Sequence, residues 1–329
     1  MICSIKRCLY ILPILVLLCS CKNTDDINVI LDWTPNTNHT GLYVAQEMGY
    51  FDEVGLKVTI SQPPEDSSTL LVGSGVSQFG VSSQDSVAMA LSAKYPIPIT
   101  ALAAIIQQNT SGIVSLAEKN ITSPKDMENR TYSTWNAPIE KAMVKHIVEK
   151  SGGDFKKVKL VPNTSADIIS SLMTRIDTAY IYYGWDGIAA KEKGIKTNFL
   201  YLRDYSEELD FYAPLIIANN RYIEQNPRTT QKFMRAVCKG YNYAISNPYQ
   251  SAKILLKACP ELDEEITVQS QIWLSERYKG EQDVWGLMDE NRWNNFFGWL
   301  YDNGIIENRI PTNLGFTNKY LTKAGNNEN

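Results

Sequence analysis

Blocks of apolar residues recur along the chain at two alternating periods. INVILDW (Ile27–Trp33) is an apolar run of strand length. TGLYVAQEM repeats apolar positions at helical spacing, with Leu42, Ala45 and Met48 on one face and Gly49 at the expected stop. LKVTIS predicts a second strand, SSTLLVGSG a short helix, QFGVSS a strand, QDSVAMALSAKY a helix capped by Ser82 or Ser83, and ITALAAIIQ an apolar strand. A second series follows. GIVSLAE is extended, RTYSTW a strand, and PIEKAMVKHIVEKSG a helix with Pro138 at its first position. VKLVP, DTAYIYYG and NFLYLRD read as strands, with SADIISSLMTR and WDGIAAKEKG as the helices between them. FYAPLIIAN (Phe211–Asn219) reads as one long strand, and from Pro227 onward the pattern is mostly helical.

Such alternation predicts βα units, mostly parallel sheets and an α/β fold. The expected organisation is two lobes, the first from 27–111 and 213–329 and the second from 112–212. Extended crossings near Gly112 and Tyr212 would join them, which suits a hinge and an interlobe cleft. A length of 329 residues is comfortable for two domains.

Composition changes this picture little. The chain is 44% hydrophobic and 21% charged with a net charge of −4, and no basic stripe marks it for nucleic acid. Seven Trp and eighteen Tyr leave two readings open, ordinary packing or an aromatic-lined pocket.

The N-terminus is more specific. MICSIKRCLYILPILVLLCSC has Lys6 and Arg7 before an apolar run, Leu9–Leu18, too short for a membrane span and suited to a secretory leader. It ends in Leu18-Cys19-Ser20-Cys21, which resembles the bacterial lipoprotein box. The expectation is a leader over 1–20, lipidation of Cys21 and a tether over 21–26, placing the protein outside the cytoplasm on the cell membrane. Of six cysteines, only Cys238 and Cys259 then remain. Two buried thiols are the favoured reading, a disulfide the other.

The chemistry-bearing motifs are few. His39 and His146 are the only histidines, and no His-x-x-x-His or Cys-x-x-Cys spacing offers a metal site. His146 reads as a surface residue. His39 reads as a structural or ligand-contact residue in preference to a catalytic one. GSGVSQFG (Gly73–Gly80) lies between a helix and a strand, so it is a turn and not a phosphate loop. No cofactor is called for.

The strand–loop–helix joints remain, and in α/β sheets ligands bind at the carboxyl ends of strands. Those ends carry Asp32, Trp33, Asn36 and Asn38, then Ser82, Ser83 and Gln84. In the second lobe they carry Trp135 and Asn136, then Tyr182, Tyr183, Trp185 and Asp186. Aromatics beside amides and single carboxylates suit a flat, polar heteroaromatic ligand. The rings would stack on its faces and Asn or Asp would bond its edge. An anionic ligand would call for Arg, which these loops lack.

LDWTPNTNHTGLYVAQEMGYFDEVGLKVTI, GSGVSQFGVSS, ITSPKDMENRTYSTW, YAPLIIANNRYIEQNPRTTQKFMRA and FTNKYL together resemble a family with two branches. One comprises bacterial solute-binding lipoproteins that deliver thiamin pyrimidine precursors to ABC transporters. The other is the thiamine pyrimidine synthase of fungi and plants, and SsuA-like sulfonate receptors are wider relatives. The resemblance implies a two-lobed type II periplasmic-binding-protein fold with the ligand in the cleft. The synthase branch's lysine position is Ser82 here, its sacrificial histidine falls near Ser86, and its cysteine run falls at Glu208–Tyr212. The receptor branch is therefore the one implied. It would be a monomer that binds a small aromatic heterocycle and docks an ABC permease with its ATPase. Formylaminopyrimidine or hydroxymethylpyrimidine is the expected ligand, with riboflavin the alternative. Arg175 stands where the family often has Gly, and Asp186 where Glu is common.

Overall fold

The computed structural model describes residues 24–63, 67–162 and 167–321. The leader and Cys21 lie outside the described residues. Among the described residues ten strands form: β1 (Asp25–Ile30), β2 (Leu56–Ser61), β3 (Phe79–Ser82), β4 (Ile99–Ala104), β5 (Ser111–Leu116), β6 (Thr131–Thr134), β7 (Lys159–Pro162), β8 (Thr178–Tyr182), β9 (Thr197–Tyr201) and β10 (Leu215–Asn219). They make two five-stranded sheets, ordered β2-β1-β3-β10-β4 and β7-β6-β8-β5-β9. In each, the strands fed by βα units are parallel. One strand beside a crossing runs the other way, β10 against β3 and β4, and β5 against β8 and β9.

That reversal decides where the chain passes between sheets. Leu215, at the start of β10, pairs with Ser82 and Ala104 at the ends of β3 and β4. Ser111, at the start of β5, pairs with Tyr182 at the end of β8. Both sheets therefore turn the carboxyl ends of their parallel strands toward the crossings, where the fold is expected to place a ligand. The crossings are bonded to each other. Asn109 donates its side-chain amide to the Leu209 carbonyl at 2.7 Å, and its backbone N–H to the Asp210 carboxylate at 2.8 Å. Arg203 donates to the Asn109 carbonyl at 2.6 Å.

The first sheet is covered on one side by the helices Thr40–Glu47 and Pro227–Ser246. Phe233 stacks on Phe79 with ring centroids 3.9 Å apart. The two helices approach closely because each presents a glycine. A Cβ on Gly41 would lie 2.3 Å from the Tyr241 ring, and one on Gly240 would lie 2.0 Å from the Gly41 carbonyl. A separate cluster runs through both lobes, joining Val87, Ile99 and Phe211 to Tyr132, Ile139 and Met143, so the region around the crossings is packed and apolar.

Several expected boundaries move. β1 starts at Asp25, inside the expected tether, because Asp25 and Asp26 pair with Leu56 and Lys57. It ends at Ile30, leaving Asp32 and Trp33 in a loop. The return strand begins at Leu215 and not at Phe211, since Pro214 has no N–H to give a ladder. Met48 is exposed because the helix ends at Glu47 and Met48 already lies in its terminal turn. His146 is no surface residue. It is half-buried, bonded to the Ser206 hydroxyl at 2.8 Å and set edge-on to Trp299. Cys238 and Cys259 are both buried, and burial raises the Cys259 thiol pKa.

Candidate functional site

The loop after β1 is built around His39, whose side chain is fully buried. Its Nδ1 accepts the backbone N–H of Asn36 at 3.2 Å. That assignment leaves the proton on Nε2, which donates to Asp32 Oδ1 at 2.7 Å. Asn36 closes the same turn by accepting the Asn38 N–H at 2.9 Å and donating to the Thr34 carbonyl at 3.0 Å. Asn36 is thus spent on its own backbone, and Asn38 is half-buried with its carbonyl taken by the Tyr241 hydroxyl at 2.8 Å. What this frame leaves outward is Trp33, 55% exposed beside the Asp32 carboxylate.

Trp33 does not stand alone. Trp135, at the end of β6 in the other sheet and 49% exposed, lies edge-on to it with centroids 6.3 Å apart and planes at 79°. Two large exposed aromatics carried by different sheets thus meet edge to face. Trp135 is held by the turn beneath it. The Tyr132 and Thr134 hydroxyls both donate to buried Glu140, and the Asn136 N–H donates to the Thr134 hydroxyl at 2.9 Å. Asn136 adopts a left-handed backbone (φ 62°) and accepts from Lys141 at 3.0 Å. Burial raises the Glu140 carboxyl pKa despite these bonds.

The third strand end divides its residues. Ser82 is buried and bonded to the Thr69 hydroxyl at 2.8 Å. Ser83 is half-buried and donates to Ser86 at 3.1 Å. Gln84 is sealed inside, donating to the Trp293 carbonyl at 2.9 Å and accepting the Tyr212 N–H at 2.9 Å. Both ends of its amide are used, so Gln84 holds the return crossing and is not among the residues facing the cleft. Asp85, one residue on, does not stand out in the sequence. It is half-buried, with Oδ1 unpartnered among the described residues, and burial raises its pKa.

In the second sheet, β8 alternates so that Tyr180 and Tyr182 share a face. Burial is the main cause that raises both hydroxyl pKa values. Tyr180 also feels Asp85, and Tyr182 feels Asp85 and Asp32. Tyr182 also feels Tyr180, to which its hydroxyl is bonded. Alternation along TAYIY was the signal for this pair.

Tyr183, Trp185 and Asp186 occupy a wide helical turn, Tyr183–Gly187. Tyr183 packs among Phe199 and Tyr201 of β9 and Trp273 of the helix Glu264–Tyr278. Trp185 and Asp186 are half-buried, and burial, with the Asp167 charge behind it, pushes the Asp186 carboxyl up to about 6. The helix Glu264–Tyr278 clips this turn to the first loop. Thr37 and Ser270 share a hydrogen bond at 2.5 Å, and Ser270 donates to the Gly184 carbonyl.

The structure thus brings Trp33 and Trp135 into contact, puts Tyr180 and Tyr182 within reach of the Asp85 charge and Tyr182 within reach of Asp32, and leaves Asp186 on the turn after β8. Among the described residues no group of His, Cys, Asp and Glu could hold a metal, and no helix is long and apolar enough to cross a membrane. A hollow of about 540 Å³ between the turn Glu207–Leu209 and the helix Glu290–Asp302 lacks these strand-end aromatics.

Comparison with known proteins places this architecture. The chain is 28% identical over 301 residues to a formylaminopyrimidine-binding protein of Halalkalibacterium halodurans, covering 89% of this chain and 90% of that protein. It is 22% identical over 317 residues to the 4-amino-5-hydroxymethyl-2-methylpyrimidine phosphate synthase THI11 of Saccharomyces cerevisiae, covering 91% of this chain and 89% of that one. The fold is that of the alkanesulfonate-binding protein SsuA of Xanthomonas axonopodis, with a TM-score of 0.68 at 11% identity over 90% of this chain and 99% of that one. Residues 36–251, more than half of the sequence, match the NMT1/THI5-like family model, and the chain belongs to that family.

Proposed function

We propose that this chain is the solute-binding lipoprotein of an ABC importer, anchored outside the cytoplasm through Cys21, and that its ligand is a thiamin pyrimidine precursor. The carrying observation is Trp33 facing Trp135 across the two sheets at 6.3 Å. A planar heterocycle between or beside such rings gains stacking as well as burial. Asp32, Asn38 and Asp186 offer acceptors and amides for the polar edge, with Trp185 as a further wall. In the same reading the lobes are 27–111 with 213–329, and 112–212. They close by bending at the bonded crossings, and the closed form docks the permease as a monomer.

The family also holds synthases, so the catalytic positions matter. Ser82 stands at the lysine position and is tied to Thr69. Ser86 stands near the histidine position, and Glu208–Tyr212 lacks the cysteines. Asp32–His39 has lost the partners a synthase would supply, and His39 serves the loop frame. These residues support a receptor over an enzyme.

The test is thermal unfolding of the chain from Asn23 onward with single candidate ligands. Formylaminopyrimidine or hydroxymethylpyrimidine should raise Tm, while taurine and nitrate should not. A shift with riboflavin alone would replace the ligand assignment. Pyrimidine formation from pyridoxal phosphate would overturn the receptor reading.

A further inference from the structure

Resting on that reading, we propose that Asp85 is the residue that selects for an exocyclic amino group on the heterocycle. Among the cleft carboxylates, Asp32 already receives His39 at 2.7 Å, and Asp186 lies on the turn backed by Asp167. Asp85 differs. Its Oδ1 is buried and receives no hydrogen bond among the described residues. The carboxylate is otherwise bonded at its own helix start, by the Ser83 side chain and the Ser86 backbone, and the Tyr180 and Tyr182 hydroxyls feel its charge. No Lys or Arg is among the groups that act on it.

A buried acceptor without a donor is costly, and a receptor retains one where a ligand supplies the donor. An amino N–H is such a donor, and a carboxyl oxygen accepts it with charge assistance. Tyr182 belongs to the same subsite. Its hydroxyl is bonded to Tyr180 on the same face of β8 and feels the charges of Asp85 and Asp32. Opening of the hinge admits the ring, and closure returns β8 over the amino group. The selection is lopsided by chemistry. An analogue lacking the amino group leaves the orphan oxygen unpaired, whereas the correct ligand satisfies it.

The experiment is a two-by-two cycle of ligand and protein. The ligands are 4-amino-5-hydroxymethyl-2-methylpyrimidine and its analogue with hydrogen in place of the amino group. The proteins are the wild type and Asp85→Ala, with Asp85→Asn as the near-isosteric variant and Trp33→Ala as the stacking control. Wild type should prefer the amino compound by roughly 10- to 100-fold, as one hydrogen bond to a charged group allows. Asp85→Ala should lose that preference, Asp85→Asn should keep part of it through its amide oxygen, and Trp33→Ala should weaken both ligands alike. Unchanged discrimination in folded Asp85→Ala and Asp85→Asn overturns the assignment and leaves the receptor reading standing. A transfer of the effect to Asp32→Asn or Asp186→Asn also overturns it. Wild type that binds neither compound overturns the receptor's proposed ligand class as well.

Discussion

Trp33 and Trp135 come from different sheets, and their rings meet edge-on at 6.3 Å in the cleft. Both are about half exposed, so neither is holding a core together. Trp33→Ala and Trp135→Ala should each weaken ligand binding about 10- to 100-fold, on the scale of an interface hot spot. Tm in the absence of ligand should move by no more than about a degree or two, as expected of an exposed position. Tryptophan fluorescence titration reads the first and calorimetry the second. A variant that loses Tm without losing affinity would return these rings to a packing role.

His39 presents the opposite case. Removing its ring leaves the Asn36 N–H and the Asp32 carboxylate without their partner inside a buried turn. His39→Ala should cost roughly 2–4 kcal/mol of stability, about 1–3 for each abandoned group less whatever water recovers. Chemical denaturation gives the figure. Wild-type stability with abolished ligand binding would instead place His39 at the ligand.

Gln84 joins the start of the helix after β3 to the return crossing. Gln84→Leu keeps the volume but leaves the Tyr212 N–H unpaired and removes the second bond to the Trp293 carbonyl, which stays in its own helix. Destabilisation of about 1–3 kcal/mol is expected. Hydrogen exchange at Tyr212 should quicken more than in β1, and equal quickening everywhere would mean that Gln84 does not hold the crossing locally.

The Asp186 carboxyl has an ordinary value of 3.8 and is pushed by burial to about 6 in the fold. Between those values the folded protein binds the proton and the unfolded chain does not. Stability from this group is therefore present at low pH and is lost as pH rises through 6. The size is on the order of 2–3 kcal/mol, since each tenfold change in proton affinity is worth about 1.4 kcal/mol. Asp186→Asn should flatten the fall in Tm between about pH 4 and 6.5 relative to wild type, at about 4 °C or more of difference. Parallel pH profiles for the two proteins would show that Asp186 ionises freely.

Much of the fold was legible because period and burial agree. Ile27, Val29 and Leu31 are buried as the apolar run requires, and the helix after them turns Leu42 and Ala45 inward. Boundaries failed where a local chemical rule outweighed the apolar pattern, as at Pro214, or where a strand ran on into polar residues, as at Asp25. Within the site, Trp33 and Trp135 were legible as strand-end aromatics. Gln84 and Asp85 were not separable, since the sequence shows two polar residues at a helix start. Successive helical residues point about 100° apart, and only the position of Tyr212 and Trp293 decides which one faces inward. Tyr182 was seen among the strand-end residues, but its alignment with Tyr180 needed the strand's phase.

Ser270 to Gly184 ties the helix Glu264–Tyr278 to the wide turn after β8, a contact between the lobes in the organisation proposed above. Ser270→Ala should shift the population toward an open form, read as a larger radius of gyration in small-angle scattering and a modest loss of affinity. An unchanged radius at saturating and zero ligand would remove Ser270 from the closing contact.

That contact grips a main-chain carbonyl, which every residue type possesses. The glycine there suits the packing for a different reason, since a Cβ would sit 3.0 Å from Leu274 and 3.2 Å from Trp273, whose side-chain ends would have to give way. The latch thus reads no side chain of the turn that carries Trp185 and Asp186. Under the receptor function proposed above, mutational drift can retune which solute is chosen at those two positions while the clasp stays as it was, so the cargo changes without the scaffold relearning how to shut.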